Sequence, residues 1–161
     1  MCKFASFVLT RNKAFWSDIS DSHESIIAEH KLHTDGVRGV NVLRVELTPP
    51  DHGHQWADVA NWSYHIDQDI MPDWFDAPRD EERARDALAT RIANGWKWID
   101  LSQNIGNTIK SLPDLPAATT ADLRGCTGLT TVDLPAATTA YLSGCTGLTT
   151  VPKRKGLRAA K

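Results

Sequence analysis

His23 stands between Asp21 and Glu24, and this is the first place in the sequence where side-chain types could do chemistry. An imidazole beside carboxylates can be poised to take and return a proton near neutral pH. The same three residues also fit a helix start, with Asp21 as N-cap and Glu24 three positions later reaching back. That capping reading accounts for Asp21, His23 and Glu24 without catalysis. Cys2 is a fourth catalytic candidate, since an exposed N-terminal thiol can be a nucleophile once the initiator methionine is gone. No Gly follows it, and no partner base is identifiable. His52 and His54 flank a Gly beside Asp51, and His65 lies near Asp67 and Asp69. Imidazole and carboxylate suit zinc-like ions, but a site needs three converging ligands, and a His-x-His loop alone does not supply them. The expectation is no metal and no cofactor. Phosphate-cradling Gly loops, Gly-x-Ser-x-Gly elbows and His-Glu-x-x-His pairs are absent.

The elements that would position these residues can be read from periodicity. The apolar run 4–10 suits a buried strand, and Arg11-Asn12 could turn it back. A helix follows Asp21, with Ile26, Ile27, His30 and Leu32 near one side, ending by Gly36. Leu43, Val45 and Leu47 alternate with Arg44 and Glu46, which predicts a half-buried strand closed by Pro49-Pro50. Trp62, Tyr64 and Ile66 predict another. Asp76 is placed to cap a second helix, with Ala84, Leu88 and Ile92 four apart, and Trp74 with Phe75 anchors its start in a core. The order is ββαββα. All six Trp and all six His precede residue 99, which sets the boundary of an α+β domain at 1–98.

Beyond it the chain repeats itself. The segment 115–132 returns almost unchanged as 134–151, a step of 19 residues. Ile99-Asp100-Leu101 aligns with Ala121-Asp122-Leu123 and with Ala140-Tyr141-Leu142, giving three coils over 99–152. Asn104, Cys126 and Cys145 then share one inward position, where a small polar group caps turning backbone. The two cysteines read as structural thiols. If each Leu points inward, Asp100 with Ser102, Asp122 with Arg124, and Tyr141 with Ser143 line an outward ribbon. These six are the candidate binding residues, with Arg124 and Tyr141 foremost because their types recur at binding hot spots. A purely solvated face is the competing reading of the same ribbon.

The spacing, and Leu112-Pro-Asp-Leu-Pro116, resembles bacterial leucine-rich repeats. That resemblance implies an α+β protein in which the small ββαββα domain caps a short leucine-rich-repeat-like β-solenoid. A second resemblance rests on Asp21-Ser22-His23, Arg44-Val45-Glu46 with Pro49, Asp67-Gln68-Asp69 and Pro72-Asp73-Trp74-Phe75. These resemble an uncharacterised domain of bacteriophage and prophage genes. It implies a context rather than an activity.

Charge narrows the partners. Residues 1–98 carry a net −5, residues 99–152 a net −2, and the tail 153–161 a net +5. An acidic body is a poor match for phosphate backbones, so nucleic acid is expected only at the tail, through Lys153, Arg154 and Lys155. No stretch approaches a membrane span, the start does not read as a signal peptide, and three cysteines form no even disulfide set. A cytoplasmic location follows, in the host cell if a phage encodes the chain. The leading functional expectation is a non-enzymatic interaction protein that binds a host protein or complex, an inhibitor of host defence or regulation being its most concrete form. Two alternatives stand beside it. One is a small hydrolase or nucleotide-acting enzyme using the His- and Asp-rich N-terminal domain; the other is a phage structural or decoration component.

Overall fold

The computed structural model describes residues 4–34, 41–102 and 106–150, together with the backbone of 158–160. Its first sheet is antiparallel, in the order β2-β1-β3-β4. The strands are β1 (Ser6–Leu9), β2 (Ala14–Phe15), β3 (Leu43–Thr48) and β4 (Ser63–Ile66). Register is fixed by Phe7 opposite Val45 and Val45 opposite Ile66. The period of two in β3 then sorts its side chains. Leu43, Val45 and Leu47 join the main core with Phe7 and Leu9. Val8 on the other face packs with Ile26 and Val42 in a smaller cluster.

Two helices cover this sheet. The longer, α2 (Ala77–Asn94), begins where Asp76 caps it by accepting from the Arg79 amide at 3.1 Å. It buries Ala84, Ala87, Leu88 and Arg91, and it stops at Gly95, whose φ of 78° favours glycine. The shorter, α1 (His23–Glu29), departs from expectation at both ends. Its N-cap is Ser22, not Asp21, with the hydroxyl accepting from Ser25. It ends at Glu29, and Lys31 takes a positive φ of 50°, so His30 and Leu32 fall beyond the helix, while Gly36 lies outside the described residues. Asp21 is unavailable as a cap because its carboxylate is spent elsewhere, on Arg91 and on the Ser6 amide.

The second sheet is parallel and takes its strands in chain order: β5 (Trp98–Asp100), β6 (Thr120–Asp122), β7 (Thr139–Tyr141) and β8 (Arg158–Ala160). Ile99 pairs with Ala121, Ala121 with Ala140, and Ala140 with Ala159. The α+β class therefore stands, but the leucine-rich-repeat-like β-solenoid does not. Among the described residues there are two helices and two open four-stranded sheets, and neither sheet closes or winds into coils. The physical reason lies inside the repeat. Each copy gives only three residues to a strand, and turns and irregular chain make up the rest, with neither a second strand nor a helix to wrap the far side. Self-similarity fixed the pairing step without supplying a closed cross-section. Within the charged tail, β8 adds a further strand at the same 19-residue step.

One apolar core runs through both sheets. Phe4, Trp56, Trp62 and Trp96 cluster at its centre, with Phe4 and Trp96 ring centroids 4.8 Å apart. Ile99, Leu101, Leu115, Leu123 and Leu142 continue it beneath the parallel strands. The loop after β3 clamps the two parts. The Gly53 amide donates to Ser111 Oγ at 3.0 Å, and the Lys110 amide donates to the Asp51 carbonyl at 2.7 Å. A Cβ on Gly53 would sit 2.0 Å from the Leu112 backbone, so only glycine fits there.

Candidate functional site

The ribbon of the parallel sheet is built by its register. Asp100, Asp122 and Tyr141 stand side by side on consecutive strands, and Leu101, Leu123 and Leu142 are all buried beneath them. Asp100 Oδ1 accepts from the Ser102 amide at 2.9 Å and from its hydroxyl at 2.5 Å. Asp122 holds Arg124 in a fork, with Nε 2.9 Å from Oδ1 and Nη2 2.6 Å from Oδ2. The guanidinium so fixed lies 5.7 Å from the centre of the Tyr141 ring, within cation–π range. Asp122 itself is buried, contrary to an outward ribbon fully open to solvent. Arg124 keeps 58% of its side chain exposed, and Tyr141 is 41% exposed. Ser143 is exposed at the next position, and its carbonyl accepts from the Gly125 amide at 2.8 Å.

A comparison of the two repeats sharpens this surface. Over 115–132 and 134–151 they differ at two positions alone, Asp122 against Tyr141 and Arg124 against Ser143. Both positions lie on the ribbon. The buried apolar residues and the glycines and prolines are the same in the two copies. This signal is present in the sequence, and it separates the surface from the scaffold without any structure.

A second group gathers where α1 meets β3 and β4. His23 is the first residue of α1 and is buried. Its Nε2 lies 3.1 Å from the Val45 carbonyl oxygen. A carbonyl only accepts, so Nε2 carries the proton. Nδ1 faces Asp67 Oδ2 at 3.2 Å. Glu46, on the face of β3 opposite Val45, is 1% exposed. One donor atom from each of His23, Glu46 and Asp67 lies within 4.8 Å of the others. Asp67 is set in place by its own amide, which donates to the Arg44 carbonyl at 2.9 Å, and by Gln68, whose side chain bonds the Arg44 amide and the Val42 carbonyl.

The other expected constellations are not assembled. Asp21 turns away from His23 to pair with Arg91 at 2.9 Å. Burial pushes its carboxyl up from the ordinary value, against the pull of Arg91. Glu24 is exposed and meets Arg44 at 3.4 Å. His52 and His54 lie near each other, their rings tilted and their centroids 5.7 Å apart, but neither they nor His65 join a group of three ligand-type side chains among the described residues. Cys2, Asn104 and the tail residues Lys153, Arg154 and Lys155 lie outside the described residues. Cys126 is buried, and burial together with the neighbouring Cys145 pushes its thiol up to about 12. Cys145 is half-buried and donates to the Leu123 carbonyl at 2.9 Å. Glu46 and Asp67 were the residues missed as partners of His23. The alternation of β3 marked Glu46 as outward, and nothing in the sequence says that α1 covers that face.

An apolar cavity of about 640 Å³ opens between the two parts of the molecule, lined by Trp56, Ile92, Trp96, Leu112 and Pro113, with His54 at its side. No family model, no curated protein and no solved structure matches the chain. No described helix is long and apolar enough to cross a membrane.

Proposed function

We propose that the chain is a non-enzymatic interaction protein that docks a host protein or protein complex on the ribbon of its parallel sheet. The observation that carries this reading is the pattern of difference between the repeats. Change is confined to Asp122/Tyr141 and Arg124/Ser143, while the residues that build the scaffold are held. A spacer needs no such distribution; a recognition surface does. The chemistry of the ribbon supports it. Arg124 is gripped by Asp122 and laid against Tyr141, so little side-chain freedom remains to be lost on docking. Tyr and Arg are also the side chains most often found to dominate binding energy. The motifs at 21–23, 44–46, 67–69 and 72–75 support a phage or prophage origin, and with it a partner in the host cytoplasm whose inhibition serves the phage.

The experiment is affinity capture from host lysate with the tagged chain, followed by affinity measurement on the purified partner. The expected result is a partner that the Arg124→Ala/Tyr141→Ala double variant loses by about 100-fold or more, as removal of two hot-spot side chains does. The variant must retain the wild-type circular dichroism spectrum. A correctly folded double variant that binds its partner unchanged overturns the reading.

A further inference from the structure

We infer that His23, Glu46 and Asp67 form a binding site for one divalent transition-metal ion, zinc being the simplest occupant. The inference starts from the tautomer. With Nε2–H given to the Val45 carbonyl, the other ring nitrogen of a neutral His23 carries a lone pair. That lone pair points at a carboxylate oxygen 3.2 Å away. A ring nitrogen and a carboxylate oxygen at this separation can be bridged by a metal ion or by a second proton on the ring.

Three observations favour the metal. First, metal-ligating histidines characteristically give their other N–H to a backbone carbonyl or a carboxylate, which fixes the ring and raises its basicity. His23 and Val45 stand in that relation. Second, the spacing fits. Zinc binds imidazole nitrogen and carboxylate oxygen at about 2.0–2.2 Å, so neighbouring donor atoms around one ion lie about 3–4 Å apart. The His23–Asp67 separation falls in that range, and the whole group lies within 4.8 Å, so its widest pair closes onto one ion with a side-chain shift of about 1 Å. Third, the donor set is mixed, one nitrogen and two carboxylates, which suits zinc, manganese or ferrous ion better than calcium or magnesium.

The site also has a way in. The His23 side chain is 2% exposed and Glu46 is buried, while the Asp67 side chain is 32% exposed. An ion would enter on the Asp67 side and keep its remaining positions for water there. Its three ligands come from the start of α1, from β3 and from the residue after β4. Binding would therefore tie together elements separated widely in sequence and stabilise the native state by mass action.

The test uses the full-length chain, stripped with chelator and titrated with zinc and with cobalt. The expected result is one high-affinity equivalent, a cobalt visible spectrum of nitrogen and oxygen ligation, and a shift of the His23 Nδ1 resonance in nitrogen-15 spectra. Asp67→Asn, a near-isosteric change at the most open ligand, is expected to weaken zinc binding by at least about 100-fold, since even outer partners of a ligand cost up to that much. The triple variant His52→Ala/His54→Ala/His65→Ala is expected to bind as the wild type does. Absence of a stoichiometric site overturns the inference. So does an unmoved His23 Nδ1 resonance, or binding that survives in Asp67→Asn and disappears in the triple variant.

Discussion

Arg91 lies with its guanidinium carbon 4.2 Å from the centre of the Trp96 ring while its Nη1 bonds Asp21 at 2.9 Å. The same guanidinium reaches the Ser17 carbonyl through Nη2 at 3.1 Å. One buried cation thus joins α2, the segment before α1 and the aromatic centre of the core. Removing Arg91 would leave a buried carboxylate uncompensated, whereas removing the charge of Asp21 would leave the cation its aromatic and carbonyl contacts. Arg91→Ala is expected to cost about 3–5 kcal/mol of stability, and Asp21→Asn clearly less. Urea titrations of the two variants check the order, and equal losses would contradict it.

Asp80 ties part of the stability to pH on the acid side. Its burial works against the ionised form, but hydrogen bonds from Arg79, from the Asp76 amide and from Arg83 outweigh that and hold its carboxyl below the ordinary value of 3.8. A carboxylate with a depressed folded value stabilises the protein in full above its unfolded value. The contribution then disappears as pH falls through the folded value. The wild type is expected to lose stability below about pH 4, and Asp80→Asn to lose on the order of 1–3 kcal/mol at pH 7 with a flatter acid limb. Denaturant midpoints between pH 2 and 7 give the answer.

Cys126 gives the opposite limb. Its thiol is raised from 9.0 to about 12 by burial and by Cys145, so the neutral thiol is the form the native state keeps. Its contribution is present in full below the unfolded value and is lost as pH rises from there through the folded value. Stability is expected to decline above about pH 9 in the wild type and less steeply in Cys126→Ala. That variant should also lose about 1–3 kcal/mol at neutral pH from the small cavity it leaves. Thiol reagents should label native Cys126 far more slowly than the unfolded chain.

Local pattern was legible where one side chain decides one element. The alternation in β3, the cap at Asp76 and the pairing step of the repeat follow from periodicity and capping chemistry alone. What depended on long-range partners was not. Asp21 looked like a cap because its real partner, Arg91, is 70 residues away. Glu46 looked solvent-facing because nothing local says that α1 lies over it. The solenoid was expected because repetition reveals how strands follow one another, not what lies behind them. The cluster of His23, Glu46 and Asp67 draws its members from three separate elements, so no window of sequence contains it.

The 19-residue step between β6, β7 and β8 also makes the parallel sheet a ruler. Each copy of the repeat moves the sheet edge by one strand spacing, about 4.8 Å, without touching the antiparallel sheet or the aromatic core. A coding duplication or loss of one unit would therefore lengthen or shorten the molecule in whole steps. Each added unit would bring its own pair of ribbon positions, equivalent to 122 and 124. Length and the side chains of the ribbon can then change together by copying, while the part that folds around Trp56, Trp62 and Trp96 stays as it is.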